Sequence, residues 1–217
     1  MKILFLGDSY SCINWGWPSR VTQALNATAV NHSRAASSLN YMFTKLDSEL
    51  ALKFYDIVIV TITSGDRLFY RDKTITARRP QYHDGTPMVG KEQKAVDLFY
   101  AYLWDSQNRD INAQVFQLAM TSISLLHPKT KFVFLPAFDG WKNLTVGNYV
   151  YTYPALLDFS YLDMKSQKIE EEGLTTNRLN HLTEKQNIDL ADQIVDMINQ
   201  YDFNSVTACR LNLSKLE

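Results

Sequence analysis

Apolar and polar positions alternate along this chain in two registers, short unbroken apolar runs and longer stretches at helical spacing. Ile3-Leu4-Phe5-Leu6 is a short apolar run ending in a turn, Gly7-Asp8-Ser9, and predicts a buried strand. A helix is predicted over about 18–26, with Pro18 in its first turn. Thr28 to Asn31 predicts a short second strand. Leu39, Met42, Phe43, Leu46 and Leu50 fall near helical spacing, and Ser37 or Ser38 can cap that helix over 37–52. Asp56-Ile-Val-Ile-Val-Thr-Ile62 is rich in β-branched residues and is the clearest buried strand.

The stretch from about 67 to 90 breaks both registers. It holds Pro80, Gly85, Pro87 and Gly90 and predicts a long loop or insertion. Helices are predicted over about 92–104 and 110–126, the second ended by His127-Pro128. Lys131-Phe-Val-Phe-Leu135 predicts a strand closed by Pro136, Tyr149 to Tyr153 a short strand, and 154–163 a short helix. A last helix over about 183–201 opens on the capping box Thr183-Glu184-Lys185-Gln186, and the tail beyond it is polar with no assignment. Strand–helix alternation with connections of this length predicts a three-layer α/β/α architecture, a mainly parallel sheet with helices on both faces. The 217 residues are expected to form one domain, 1–217, carrying the insertion.

Composition changes this picture little. With 22 basic against 23 acidic residues, the balance argues against a nucleic-acid or membrane-surface binder. Lys2 followed by four apolar residues is too short for a signal peptide, and no stretch reaches the ~18 apolar residues of a membrane span. A cytoplasmic location follows as the expectation, with Cys12 and Cys209 as free thiols. The histidines and cysteines show no metal-ligand spacing, so neither metal nor cofactor is expected. Nothing in the sequence bears on oligomeric state.

The chemistry points to the first turn. In open α/β sheets ligands sit at the carboxyl ends of the strands, and Ser9 lies where the first strand ends. A serine hydroxyl becomes a nucleophile only when a base takes its proton. Of the four histidines, His181 has the setting for that role, in a loop just before the capped last helix, which can face the same edge. The plainer roles are a turn cap for Ser9 and a helix-start neighbour for His181. His32 reads as a space-filling strand-end residue, His83 as solvated, and His127 as a helix-end residue suited to the dipole.

Gly7-Asp8-Ser9, Thr63-Ser64-Gly65-Asp66 after the third strand, the step from His127-Pro128 to the strand at Lys131, and His181 together resemble the SGNH (GDSL-type) hydrolase family in order and spacing, over residues 1 to about 200. The resemblance implies a flavodoxin-like sheet and hydrolysis of a carboxylic ester through an acyl-serine, with Ser9 as nucleophile and His181 as base. It places an oxyanion hole at the amide of Ser9, at a main-chain amide among Arg34, Ala35 and Ala36, and at the third block around Gly65. Where the family has an aspartate three residues before its histidine, this chain has Arg178. Where it has an oxyanion asparagine, this chain has Gly65, and the second block lacks its glycine. Asp66, Asn177 and Asn180 are the groups available in support, while Asp8 holds the turn. Those departures frame the competing reading, a binding or structural module on the same scaffold.

The loop from Arg67 to Tyr82 mixes basic and aromatic residues, Arg78 and Arg79 among them, and follows the third strand. A solvated surface loop is its plain reading. The sharper one is a substrate loop over the catalytic edge, with Trp15 and Trp17 walling the same pocket. A small-molecule or carbohydrate ester, an O-acetyl group on a polysaccharide in particular, is then the expected substrate.

Overall fold

The computed structural model describes residues 1–12, 16–35, 37–65, 67–70, 73–75, 87–103, 106–138, 146–159 and 182–213. Strands β1 (Lys2–Leu6), β2 (Thr28–Asn31), β3 (Ile57–Ile62), β6 (Lys131–Pro136), β7 (Tyr149–Tyr153) and β8 (Thr207–Arg210) form one sheet in the order β2-β1-β3-β6-β7-β8. Every pairing in it is parallel. All six residues of β3 are buried, as a strand covered on both faces requires.

Because side chains alternate across a strand, the central strands feed two cores. Ile3, Phe5, Ile57, Ile59, Val133 and Leu135 face α1 (Trp17–Ala24) and α5 (Glu184–Gln200), against Val21, Leu190, Ile194 and Ile198. Leu4, Leu6, Val58, Val60, Phe132 and Phe134 face α2 (Leu39–Leu52) and α4 (Ser106–Leu126), against Met42, Leu46, Phe116 and Met120. At about 1.5–3 kcal/mol for each large apolar side chain buried, these two layers dominate the stability. This is the three-layer α/β/α arrangement expected.

Four expectations need correction. The 67–90 stretch is not wholly loop: β4 (Leu68–Tyr70) and β5 (Lys73–Ile75) pair as an antiparallel hairpin. The helix expected over 92–104 is α3 (Lys91–Leu98), which continues as a π-helical turn over Phe99–Leu103. The polar tail supplies the sixth strand: β8 pairs with β7 through Thr207 to Arg210, its residues alternating half-buried and exposed as an edge strand allows. The short helix after Pro154 is a 3-10 turn at Leu156–Phe159. The caps read from sequence are in place. Ser38 accepts from the Tyr41 amide, and Thr183 and Gln186 cap α5 reciprocally. Cys12 and Cys209 are both free. Among the described residues no helix is long and apolar enough to cross a membrane.

His32 does more than fill space. Its Nε2 lies 3.0 Å from Glu49 Oε1, while Lys53 Nζ lies 3.0 Å from Oε2 and the buried Tyr55 hydroxyl donates to the same oxygen. The Tyr55 bond above all, with Lys53 and His32 behind it, holds Glu49 at about 2 instead of the ordinary 4.5, against the desolvation that opposes ionisation. The folded value lies below the unfolded one, so this contribution is complete above pH ~4.5 and is lost as pH falls toward 2. Between pH 5 and 2.5, the melting temperature of Glu49→Gln should therefore fall less steeply than that of the wild type. Parallel slopes in a calorimetric pH series would refute this.

Candidate active site

The sheet's carboxyl edge gathers the ends of β1, β2, β3 and β6. At β1 the chain turns through Gly7. A Cβ there would lie 2.1 Å from Ser11 Oγ and 2.7 Å from Thr61 Cβ, the latter on the neighbouring strand, so only glycine fits. The Gly7 carbonyl accepts from the Arg34 amide at 3.0 Å and from Ser37 Oγ at 2.6 Å, which ties the turn to the loop after β2.

Asp8 is fully buried. Its Oδ1 accepts from the Tyr10 amide at 3.1 Å, an Asx-type turn that fixes the peptide following Ser9. Its Oδ2 accepts from Thr63 Oγ1 at 3.0 Å and from Arg67 Nη1 at 3.2 Å. The same Nη1 donates to Thr63 Oγ1 at 2.5 Å and reaches the Ser37 carbonyl at 3.5 Å. The Arg67 side chain is 14% exposed, and its guanidinium carbon sits 5.1 Å from the Phe138 ring, just past β6. Ser9, between the anchored Asp8 and the buried Tyr10, is half-buried.

Cys12 donates its thiol to the Ser9 carbonyl at 3.8 Å. Burial first, then the charge of Asp8, push that thiol up, while its own amide and that of Ala35 pull the other way. The net effect favours the protonated thiol over the reactive thiolate.

The expected oxyanion donors fare differently. The Arg34 amide is spent on the Gly7 carbonyl, so it is withdrawn as a donor; the chain continues from β2 by bonding back to β1 there. The Ala35 amide lies beside Cys12, whose thiol donates to the Ser9 carbonyl. Gly65 is buried, and its carbonyl accepts from Asn112 Nδ2 of α4 at 2.9 Å. Trp17 corrects another expectation: it is fully buried, stacks edge-on with Phe5, and donates its indole N–H to the Tyr10 carbonyl at 2.7 Å. It belongs to the core under the turn and walls no pocket. Trp15, Ala36, Asp66, Arg78, Arg79, Asn177, Arg178, Asn180 and His181 lie outside the described residues.

The residue after His181 is described. Because α5 returns to the start of the parallel strand β8, α5 begins at the carboxyl edge. Leu182 is buried there in the same cluster as Tyr10 and Trp17. Asn187, fully buried, accepts from the Trp17 amide at 3.0 Å through Oδ1 and donates through Nδ2 to the carbonyls of Leu182 and Thr183 at 3.3 and 2.9 Å. One amide side chain thus pins the start of α5 to the start of α1. Arg67, Thr63, Asn112 and Asn187 were not singled out from the sequence as site residues. Arg67 directly follows the third block, but nothing local marks it as the partner of Asp8.

No family model matches the chain, and no curated protein does. Among solved structures it is similar to the psychrotrophic esterase EstA from Pseudoalteromonas sp., at 11% identity over 92% of this chain and 97% of that one, with a TM-score of 0.44. It is also similar to Axe2, an acetylxylan esterase from Geobacillus stearothermophilus, at 11% identity over 91% and 73% of the two chains, with a TM-score of 0.38.

Proposed function

We propose that this chain is a serine ester hydrolase with Ser9 as nucleophile and His181 as base. Ser9 Oγ attacks the ester carbonyl carbon as His181 accepts the hydroxyl proton. The tetrahedral intermediate collapses, the alcohol leaves with that proton, and an acyl-serine remains. Water, deprotonated by His181, then attacks the acyl group and releases the acid and free Ser9. The amides of Ser9 and Ala35, with Ala36 and Gly65 as further donors, stabilise the oxyanion. Asp66, Asn177, Asn180 or a main-chain carbonyl orients the imidazole, since any acceptor on its second nitrogen suffices.

The observation that carries this reading is the nucleophile turn: a half-buried serine on the carboxyl edge, on a turn whose glycine is sterically obligatory and whose aspartate is locked by three donors. Leu182, buried in the same core cluster as Tyr10 and bonded through its carbonyl to Asn187, supports a place for its neighbour His181 at the same rim. The basic and aromatic stretch from Arg67 to Tyr82 favours an acetylated carbohydrate as the substrate.

A fluorophosphonate probe followed by peptide mapping tests the assignment. The expected result is a single adduct on Ser9, absent from Ser9→Ala. A wild-type chain that takes no adduct at Ser9 and hydrolyses no p-nitrophenyl acetate would instead be a binding module on this scaffold.

A further inference from the structure

We infer that Arg67 is a positioning residue for Ser9, holding the nucleophile turn and the neighbouring rim in one fixed relation; this rests on the ester-hydrolase reading above. Its guanidinium joins elements that have no other common side chain among the described hydrogen bonds. Through Nη1 it meets Asp8 of the turn after β1, Thr63 at the end of β3, and the Ser37 carbonyl of the loop after β2. Its central carbon lies over the Phe138 ring beyond β6, and Phe138 in turn meets the Tyr10 ring edge-on at 6.1 Å.

These contacts close a loop of bonds around Ser9. Arg67 holds Asp8 Oδ2, and Asp8 Oδ1 holds the Tyr10 amide, which sets the peptide plane on the carboxyl side of Ser9. Arg67 also reaches Ser37, whose hydroxyl holds the Gly7 carbonyl on the amino side of the same turn. The Ala35 amide lies in the loop so tethered. Nucleophile and oxyanion donor are thus referred to a single rigid, planar group. The three polar contacts all run through Nη1, and a lysine ammonium could reach the same acceptors as a point charge on a flexible stem; what it would lack is the fixed guanidinium geometry and the contact with the Phe138 ring. The guanidinium is largely buried and is bonded to Asp8 of the turn, so its loss should affect the chemical step more than substrate binding.

The test is a kcat and KM comparison on p-nitrophenyl acetate for Arg67→Lys, Arg67→Met and the neutral pair Asp8→Asn/Arg67→Met, each with a thermal melt. Misplacement of a reacting group by about 1 Å costs on the order of 100-fold. Arg67→Met should lose about 10- to 100-fold in kcat with KM changed less than about twofold, and Arg67→Lys should fall in between. The neutral pair leaves no buried unpaired charge and remains measurable if Arg67→Met does not fold. Its melting temperature should recover toward the wild type while its kcat stays low. Recovery of kcat along with the melting temperature would make Arg67 a mere counter-charge and overturn the inference, as would an unchanged kcat in Arg67→Met. A wild-type chain inert to esters overturns the hydrolase reading first, and this inference with it.

Discussion

Ser9→Ala, His181→Ala and the double variant should all lose kcat by about the same factor, roughly three to six decades. On the ester-hydrolase reading proposed above, the two side chains perform one event. Without the imidazole the hydroxyl keeps its proton, and without the hydroxyl the imidazole has nothing to activate. Removing the second after the first therefore costs little. What survives is the work of main-chain amides, Ser9 and Ala35 above all, which stabilise the oxyanion whatever attacks the carbonyl. The measurement is a double-variant cycle on p-nitrophenyl acetate, corrected for background hydrolysis. If the single losses multiplied in the double variant, Ser9 and His181 would be acting independently. If Ser9→Ala matched the wild type, the nucleophile assignment would be gone.

Local features of the sequence carried most of the sheet. Six buried apolar or β-branched residues in a row leave little choice for β3, and Thr183 with Gln186 marks the start of α5 because a capping box is complete within four residues. β8 was hidden for the opposite reason. Thr207-Ala-Cys-Arg210 has no apolar run, and it becomes a strand only because β7 offers a free edge after α5 has carried the chain back. The β4–β5 hairpin consists of three-residue strands inside a basic, aromatic stretch, too short to impose a period.

The site divides along the same line. Gly7-Asp8-Ser9 is legible since a tight turn is written in consecutive residues. The groups that lock it are far away in sequence: Thr63 is 55 residues from Asp8, Arg67 is 59, and Asn187 is 170 from Trp17. Trp17 shows the cost of reading proximity as exposure. An aromatic residue close after a candidate nucleophile suggested a pocket wall. An indole can instead bury completely when its single N–H finds a partner, and here the Tyr10 carbonyl supplies it.

The buried pair of Asp8 and Arg67 gives the largest expected effect on folding. Asp8→Ala should lower stability by about 3–5 kcal/mol, the usual result of deleting one member of a buried ion pair and stranding the other. Asp8 has no exposed surface, and Arg67 has little, so water cannot re-solvate the guanidinium cheaply. The Thr63 hydroxyl, fully buried, and the Tyr10 amide lose their acceptors in the same step. For a domain of this size the loss corresponds to a fall of roughly 10 °C in melting temperature. Asp8→Asn separates charge from hydrogen bonding. Its amide oxygen can still accept from the Tyr10 N–H, so the turn is retained while the counter-charge to Arg67 is lost, and its cost should be distinctly smaller than that of alanine. Urea midpoints for the two variants measure the difference. Equal midpoints would mean that the Tyr10 bond adds nothing and that only the charge matters. A midpoint for Asp8→Ala within error of the wild type would mean that Arg67 finds another partner, and the turn would then have to be held by Gly7 and its carbonyl contacts alone.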